Sequence, residues 1–368
     1  MLFPFPIDVE EVIIDQLRNG RYALLKGSLV CKRWQPRCYY HIFRVVHIHT
    51  HRQLGLLNST ISLNKKIGEM VEVIILTPGP LVDRSSAALI DLAFVVLSPR
   101  LPNLSSVKVL APRSGSMTTL TQIRVQKPAM ACLRSYARIE ELHLRSMSFS
   151  GPVHFFTVLA SMRSLRTLHC CSVLVREPNA TSGGQLESFT GSSLVTLPLS
   201  TLYVEEINEW LVKALLYLSR STLEMLSIHI TDRGQYDTAP RLSDMRRLCS
   251  LMVVVKAVQC DQLGTQEVEV VHNLVTTIPR GKLVFLEIKF SGYCSSAPAY
   301  GLEPVSGRLS VLERDLLMDH FSSLRAVSLT LPSGGSNSTS RWTDAFKTGL
   351  SQLEKRGLLS LTDPRVHV

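Results

Sequence analysis

The chain has 368 residues, of which 45% are hydrophobic and 19% charged, and its formal net charge is +10. This composition excludes global disorder and predicts a sizeable buried core. No apolar run approaches the roughly 18 residues that a transmembrane helix needs, so we expect no membrane partner. The acidic start MLFPFPIDVEEVII differs from the basic first region of a signal peptide, which predicts a cytoplasmic or nuclear protein.

Three short helices are predicted within the first fifty residues. The stretch 8–11 has the Asp-x-x-Glu form of a capping box and would begin the first helix, whose apolar face comprises Val9, Val12, Ile13 and Leu17. Asn19-Gly20 would end it, and the second helix is predicted over about 21–34. Pro36 opens a third short helix that carries Tyr40, Ile42 and Phe43. Such a unit buries too little surface to be stable alone, so we expect it to pack on a partner or on a neighbouring domain.

This segment, FPIDVEEVIIDQL…YALLKGSLVCKRWQPRCYYHIFRVV, resembles the F-box, a docking module of ubiquitin ligases. Phe5-Pro6 occupies the family's Leu-Pro start, and Val9 occupies the position of its following leucine. SLVCKRW, which ends at Trp34, matches the Val-Ser-x-x-Trp element with Cys31 in place of serine. The tail YYHIFRVV is similar to F-box proteins of mushroom-forming fungi.

The resemblance implies an F-box-like domain over residues 1–48 that docks on a Skp1-like adaptor and, through it, on a cullin scaffold. The chain would then be a substrate-recognition adaptor of a Skp1–cullin–F-box (SCF) ubiquitin ligase, with no catalytic residue and no cofactor of its own. The partner-binding residues that it implies are Pro6, Val9, Ile13, Leu17, Leu25, Leu29, Val30 and Trp34. The alternative is a repeat-type interaction scaffold with no link to ubiquitin, in which the three helices serve only as an end cap.

Beyond this segment, the pattern apolar-x-x-apolar-x-apolar recurs at intervals of 25 to 41 residues and predicts a series of strands. The strands would begin near Met70, Leu104, Ile139, Leu165, Leu194, Leu223, Leu248, Leu283 and Leu324. Helices are predicted in GPVHFFTVLASMRSL, VEEINEWLVKALLYLSRSTL, GTQEVEVVHNLVTTI and WTDAFKTGLSQLEKRG, and the closing EKRGLLSLTD predicts a last helix and strand. The polar stretches 178–193 and 331–341 are interpreted as surface loops.

Leucine-rich repeats have periods of about 20–29 residues, so some of these intervals fit and others need inserted helices. We therefore predict an α/β protein in which the small all-α F-box-like three-helix module precedes an irregular leucine-rich-repeat-like solenoid of parallel strands and helices. The solenoid would cover residues 49–368 and bind the substrate. A compact α/β domain with a parallel sheet is the alternative architecture.

Patterns typical of catalysis or metal binding are missing from the sequence. No GxSxG, P-loop, GxGxxG, HExxH or kinase motif occurs, and the eight cysteines lack CxxC or metal-type spacing, so we predict neither an enzyme nor a metal site. His47, His49 and His51 would share one face of a strand, and zinc is conceivable there. Exposed histidines beside a buried Val46 and Ile48 are favoured instead, because no acid or cysteine lies nearby. Glu140-Glu141 and Glu205-Glu206 are interpreted as solvated pairs.

The positive charge is concentrated in residues 98–176, which hold eleven lysines and arginines against two acids. Lys108, Arg145 and Arg166 are predicted to align on neighbouring repeats and to bind an acidic or phosphorylated segment of a substrate. The segment lacks the interleaved aromatic residues of nucleic-acid stacking platforms, which argues against a nucleic-acid partner. The alternative is that these charges are scattered around the solenoid and only solvate it.

Overall fold

The computed structural model describes residues 6–77, 85–111, 121–123, 132, 138–176, 196–231, 240–256, 265–291, 293–294, 302–331, 333–334 and 336–362. The chain divides into two compact units. The first unit comprises Met1–Leu165 and Val173–Asn179, and the second unit comprises Arg166–Ser172 and Ala180–Val368. Each unit is an α/β structure in which helices alternate with parallel strands.

The first unit begins with three helices and continues with strands separated by helices. Its helices are α1 (Ile7–Gln16), α2 (Arg21–Gly27), α3 (Gln35–Arg44), α4 (His51–Leu63), α5 (Lys65–Met70), α6 (Ser85–Leu97) and α7 (Pro152–Ser161). Its strands are β1 (Val45–Ile48), β2 (Val73–Leu76), β3 (Ser106–Leu110), β4 (Thr121–Ile123) and β5 (Glu141–Phe149). They pair in parallel in the order β1-β2-β3-β5, and β4 pairs with the end of β5.

Local side chains fix where two helices of the first unit begin. The hydroxyl of Thr50 accepts a hydrogen bond from the amide of Gln53 at the start of α4, and the side chain of Asn64 accepts one from Lys66 at the start of α5. Both are N-cap bonds, which satisfy amides that have no partner within the helix. Gly68 lets α5 lie close to the backbone after α6, because a Cβ atom at this position would lie 2.3 Å from the carbonyl oxygen of Arg100.

The second unit repeats strand and helix. Its strands are β6 (Thr167–Val175, through Ser172 in this unit), β7 (Thr201–Glu205), β8 (Met225–Thr231), β9 (Ser250–Lys256), β10 (Phe285–Ser291), β11 (Tyr293–Cys294), β12 (Ala326–Thr330), β13 (Ser333–Gly334) and β14 (Leu359–Thr362). Its helices are α8 (Glu209–Ser219), α9 (Thr265–Thr276), α10 (Glu303–Leu316), α11 (Ser336–Gly349) and α12 (Ser351–Lys355). The strands pair in parallel in the order β6-β7-β8-β9-β10-β12-β14, and β11 pairs with β13.

The register of these strands stacks aliphatic side chains into rows on one side of the second unit. One row runs across the strands through Leu168, Leu202, Leu226, Leu251, Leu286 and Val327. All of them are at most 1% exposed, so this face of the sheet is completely covered. Because successive side chains of a strand point to opposite faces, the residues between them form a second face. Most residues of this second face are half-buried or exposed, whereas Ser227 and Val254 are buried.

The predicted α/β class with parallel strands is confirmed, and eight of the nine sequence matches overlap a strand. Leu194 lies outside the described residues, and the other two positions of its match, Leu197 and Leu199, precede β7 rather than forming a strand. The match at Met70 is displaced by one residue, since Val71, Ile74 and Leu76 are the buried positions. The leucine-rich-repeat-like solenoid remains a prediction.

Helix boundaries account for most of the other corrections. Ile7 is the first residue of α1, and no side chain caps that helix, so the predicted capping box is wrong. The second helix ends at Gly27 rather than at Trp34. Residues 204–205 belong to β7 rather than to a helix, and the predicted loop over 331–341 contains β13 and the start of α11. The other predicted loop, 178–193, lies outside the described residues.

The predicted domain boundary at residue 48 remains a prediction. Within the first unit, β1 pairs with β2, so strand pairing already includes residues 45–48. His51 is the first residue of α4, and the three histidines of HIHTH therefore do not share one strand face. None of the helices in the described part of the chain combines the length and apolar character needed to cross a bilayer.

Candidate docking surface

The three N-terminal helices pack around a small apolar core. Ile14 of α1, Leu24 of α2, and Cys38 and Ile42 of α3 are buried in it. Partly buried side chains packed against this core are Leu17, Trp34, Tyr39 and Phe43. Each helix therefore contributes only one or two fully buried apolar residues, and other apolar residues of the same helices remain outside the core.

Asp15 connects α1 to α3. Its two carboxylate oxygens accept hydrogen bonds from Nε and Nη2 of Arg37 at 2.7 and 2.6 Å, and its Oδ1 is also 2.7 Å from Nε2 of His41. A bidentate arginine–carboxylate pair is among the strongest charge-assisted contacts in proteins. These hydrogen bonds hold the pKa of Asp15 far below its ordinary value. The relative position of α1 and α3 thus depends on an ionised Asp15.

Glu72 connects α3 to the strands of the first unit. Its carboxylate accepts hydrogen bonds from the hydroxyl of Tyr40 at 2.8 Å and from Nε of Arg44 at 2.7 Å, and its carbonyl oxygen accepts one from the amide of Ser106. Burial alone would raise the pKa of Glu72, but the hydrogen bonds from Tyr40 and Arg44 outweigh it and lower that pKa. The three-helix segment is therefore tied to β2 and β3 by specific polar contacts.

The same helices expose an unusual number of aliphatic side chains. On α1, Val9, Val12 and Ile13 are exposed at helical spacing, on a different side from the buried Ile14. On α2 and the turn after it, Leu29 is 85% exposed. Among the residues of this segment that the structure describes, the exposed large apolar ones are Ile7, Val9, Val12, Ile13, Tyr22, Leu25, Leu29 and Val30. Exposed aliphatic residues that cluster in a short segment are typical of interaction sites.

Six of the eight residues predicted to bind a Skp1-like partner are exposed, namely Pro6, Val9, Ile13, Leu25, Leu29 and Val30. The other two, Leu17 and Trp34, are half-buried against the core. The F-box resemblance and helical spacing assigned all eight to docking, and neither can separate apolar residues that hold the helices together from those that face outward. Phe5, which occupies the start of the resemblance, lies outside the described residues.

The three predicted substrate-binding residues are not brought together in one unit. Lys108 of β3 and Arg145 of β5 belong to the first unit, whereas Arg166 belongs to the second. Lys108 lies opposite His143 in the strand register, and Arg145 is two residues further along β5. The Nζ atom of Lys108 is 3.9 Å from a carboxylate oxygen of Glu141, so part of its charge is already balanced. Recognition of an acidic segment by these residues remains a prediction.

A polar cluster in the second unit was not foreseen from the sequence. It comprises Cys171, Ser172, Glu205, Glu206, His229 and Lys256, and we call it the ionic cluster. Nζ of Lys256 is 2.8 Å from Oε1 of Glu205 and 2.9 Å from Oε1 of Glu206. The thiol of Cys171 donates to Glu205, and the hydroxyl of Ser172 donates to Glu206. Glu205-Glu206 is therefore a half-buried pair and not the solvated pair that was predicted.

The protonation states in the ionic cluster follow from these contacts. Burial would raise the pKa of Glu205, but hydrogen bonds from Lys256 and Cys171 and the neighbouring positive charge hold it at about 2. Burial lowers the pKa of His229, which makes the neutral imidazole the dominant form at pH 7. Ser172 and Glu206 also have left-handed backbone angles, φ 53° and φ 52°, which are uncommon for residues with a side chain.

No protein-family model matches the chain, and no curated protein matches it significantly. The resemblance of the N-terminal segment to the F-box therefore rests on the sequence of this chain alone and remains a prediction.

Proposed function

We propose that the chain is a substrate-recognition adaptor of an SCF-type ubiquitin ligase. Its three N-terminal helices dock on a Skp1-like protein, which joins it to a cullin scaffold, and the strand-and-helix remainder, as a leucine-rich-repeat-like array, holds a target protein. The proposal assigns no catalytic residue and requires no cofactor. Binding alone accelerates ubiquitin transfer, because holding a target near a conjugating enzyme raises the effective concentration of its lysines.

The exposure of Leu29 and its neighbours is the observation that supports this proposal best. A helix of a soluble protein ordinarily turns its aliphatic side chains towards the core and its polar side chains towards solvent. Here α1 presents Val9 and Ile13 to the outside, and α2 and its following turn present Leu25, Leu29 and Val30. These are the positions at which the F-box resemblance expects contact with a Skp1-like partner, and covering them would remove apolar surface from water.

A scaffold without a link to ubiquitin is the second candidate, and one observation favours it. The hydrogen bonds of Tyr40 and Arg44 to Glu72 attach α3 to the segment that leads into β2, and α3 continues directly into β1. A helical segment joined in this way to the first strand also suits an end cap, which repeat proteins need. An end cap, however, does not require aliphatic side chains on its outer surface.

Capture of a purified Skp1-like protein by the full-length chain tests the proposal. We expect the double variant Val9→Glu/Leu29→Glu to weaken capture at least tenfold (about 1.4 kcal/mol), because charges would enter an apolar contact. Leu63→Glu on α4 is the matched control, since Leu63 is 91% exposed and lies outside the three helices. A folded wild-type chain that captures no Skp1-like protein would refute the adaptor function and leave the scaffold.

A further inference from the structure

In the second unit, most of the described side chains on one face of the sheet keep part of their surface exposed, although Ser227 of β8 and Val254 of β9 on that face are buried. We define the open strand face as Tyr203 and Glu205 of β7, Met225 and His229 of β8, Met252 and Lys256 of β9, and Phe285, Glu287 and Lys289 of β10. All of these residues are half-buried or exposed, whereas their neighbours on the opposite face are buried. Parallel sheets are ordinarily covered on both faces, so a partly bare face is a surface on which another molecule can pack.

One end of the open strand face is apolar. Met225 and Phe285 are 37% and 52% exposed and lie in the same row of the strand register, with Ser250 between them. The hydroxyl of Tyr203 donates to the sulfur of Met225, and its ring stacks on His169 at a centroid distance of 4.0 Å. Aromatic and methionine side chains are enriched in the centres of protein interfaces. This end therefore offers an adaptable apolar contact for a side chain of a partner.

The other end of the open strand face adjoins the rest of the ionic cluster, including Glu206 directly after β7, and is acidic. Among the described residues, the carboxylates of Glu205, Glu206 and Glu287 outnumber the ammonium groups of Lys256 and Lys289 by three to two, and Lys289 is paired with Glu287 at 3.1 Å. The formal charge of these five residues is therefore −1. The imidazole of His229 does not offset it, because its burial disfavours the protonated form. This acidic site lies in a chain whose net charge is +10.

Two buried polar atoms of β8 lie between these two ends. The hydroxyl of the buried Ser227 and Nδ1 of His229 form no hydrogen bond with any residue that the structure describes. Nδ1 of His229 lies 3.8 Å from a carboxylate oxygen of Glu205. Because both atoms are enclosed by the protein, a molecule that packs on the open strand face would contact the more exposed side chains at its two ends instead.

We infer that the open strand face binds a segment of a partner protein that carries an apolar side chain and a lysine or arginine. The apolar side chain packs between Met225 and Phe285, and the cationic group lies beside Glu205 and Glu206. Four residues separate the rows of Met225 and His229, or about 13 Å at about 3.3 Å per residue. An extended segment along the strands would therefore have its two anchors three to five residues apart. The inference rests on the proposed adaptor function only for identifying this partner as a ligase substrate.

A library of random twelve-residue peptides displayed on phage and selected on the full-length chain tests this inference. We expect the enriched peptides to combine a large apolar residue with a lysine or arginine three to five positions away. Phe285→Ser and Glu206→Gln should each weaken their binding at least about fivefold, as loss of one interface anchor does. Met318→Ser is the matched control for Phe285→Ser, because Met318 is 51% exposed and lies outside the face.

Three results would overturn the inference. They are enrichment of acidic peptides, enrichment of no sequence, and equal binding by the wild-type chain and the Phe285→Ser variant. Capture of a Skp1-like protein by the Phe285→Ser variant is measured in parallel. It reports on the proposed adaptor function alone, because Phe285 belongs to the second unit and the docking helices to the first. A failure of one proposal is thereby distinguished from a failure of the other.

Discussion

Replacing Trp34 by alanine separates the two roles that an apolar residue of the three N-terminal helices can have, namely packing in their core and binding a partner. The sequence predicts Trp34 as an anchor for the partner, whereas the structure packs it against the core of the three helices. A tryptophan buries 150–250 Å² when it is fully enclosed, and about half of this, ~100 Å², corresponds to about 2.5 kcal/mol at ~25 cal/mol per Å². We therefore expect Trp34→Ala to destabilise α1 to α3 by about 2 kcal/mol. Leu29→Ala should change their stability by less than about 0.5 kcal/mol, because Leu29 is already exposed.

Native-state hydrogen exchange measures this difference within the full-length chain. The amide of Cys38 donates to the carbonyl of Trp34, and the amide of Ser28 donates to that of Leu24, so both report the opening of the small core. A loss of about 2 kcal/mol makes exchange at these amides about thirtyfold faster in Trp34→Ala, and Leu29→Ala should leave it unchanged. If Trp34→Ala exchanges like the wild type yet no longer captures a Skp1-like protein, the packing role is refuted and Trp34 is an interface anchor.

Three further predictions test other parts of the structure. Gly68→Ala should destabilise the first unit by about 1–3 kcal/mol in urea unfolding, because the added Cβ atom would overlap a backbone carbonyl oxygen. Gly55→Ala is its control and should stabilise the unit by about 0.5–1 kcal/mol, because a Cβ atom there would have no other atom within 4 Å. The pKa of Asp15 is lowered in the folded chain, so the carboxylate stabilises the fold fully at a pH above its ordinary pKa of 3.8 and loses this effect as the pH falls below that. Asp15→Asn should therefore reduce the pH dependence of hydrogen exchange in α1 and α3. Lys256→Gln should raise the pKa of Glu205 from about 2, which carboxyl NMR titration measures, and an unchanged pKa would show that the ammonium group does not stabilise this carboxylate.

Most of the strands could be predicted from the sequence because one face of each is completely buried, as in β3 and β6 to β10. In β8, β9 and β10 the pattern begins with a buried leucine just before the strand and continues at two alternate positions within it. The pattern is ambiguous at β2, because all four residues of this strand, VIIL, are apolar, and the match that begins at Met70 is one residue out of step with the buried positions. Before β7, two matches overlap at Leu199. The later one forms the strand, since Pro198 cannot donate to a strand ladder.

The sites were less predictable than the strands, because their partners are distant in the sequence. Lys256 meets Glu205 and Glu206 only after β7, β8 and β9 have paired in the observed register, and nothing near the glutamates indicates this contact. In the three N-terminal helices, exposed and buried apolar residues are difficult to tell apart for a different reason. Val12, Ile13 and Ile14 are consecutive and all apolar, yet only Ile14 is buried. The sequence predicts that such a helix buries some apolar residues, but only the packing of the neighbouring helices decides which of them are buried.

An adaptor has to hold its two partners at the same time, whereas a scaffold with an end cap does not need its three N-terminal helices for binding. The docking residues belong to the first unit and the open strand face to the second, and they share no residue. We therefore expect a chain saturated with a peptide selected on the open strand face to capture a Skp1-like protein as well as the free chain does. Val9→Glu/Leu29→Glu should lose only the Skp1-like protein, and Phe285→Ser only the peptide, because effects at independent sites are additive. Mutual exclusion of the two partners would contradict an adaptor, since bound substrate could then never reach the ligase.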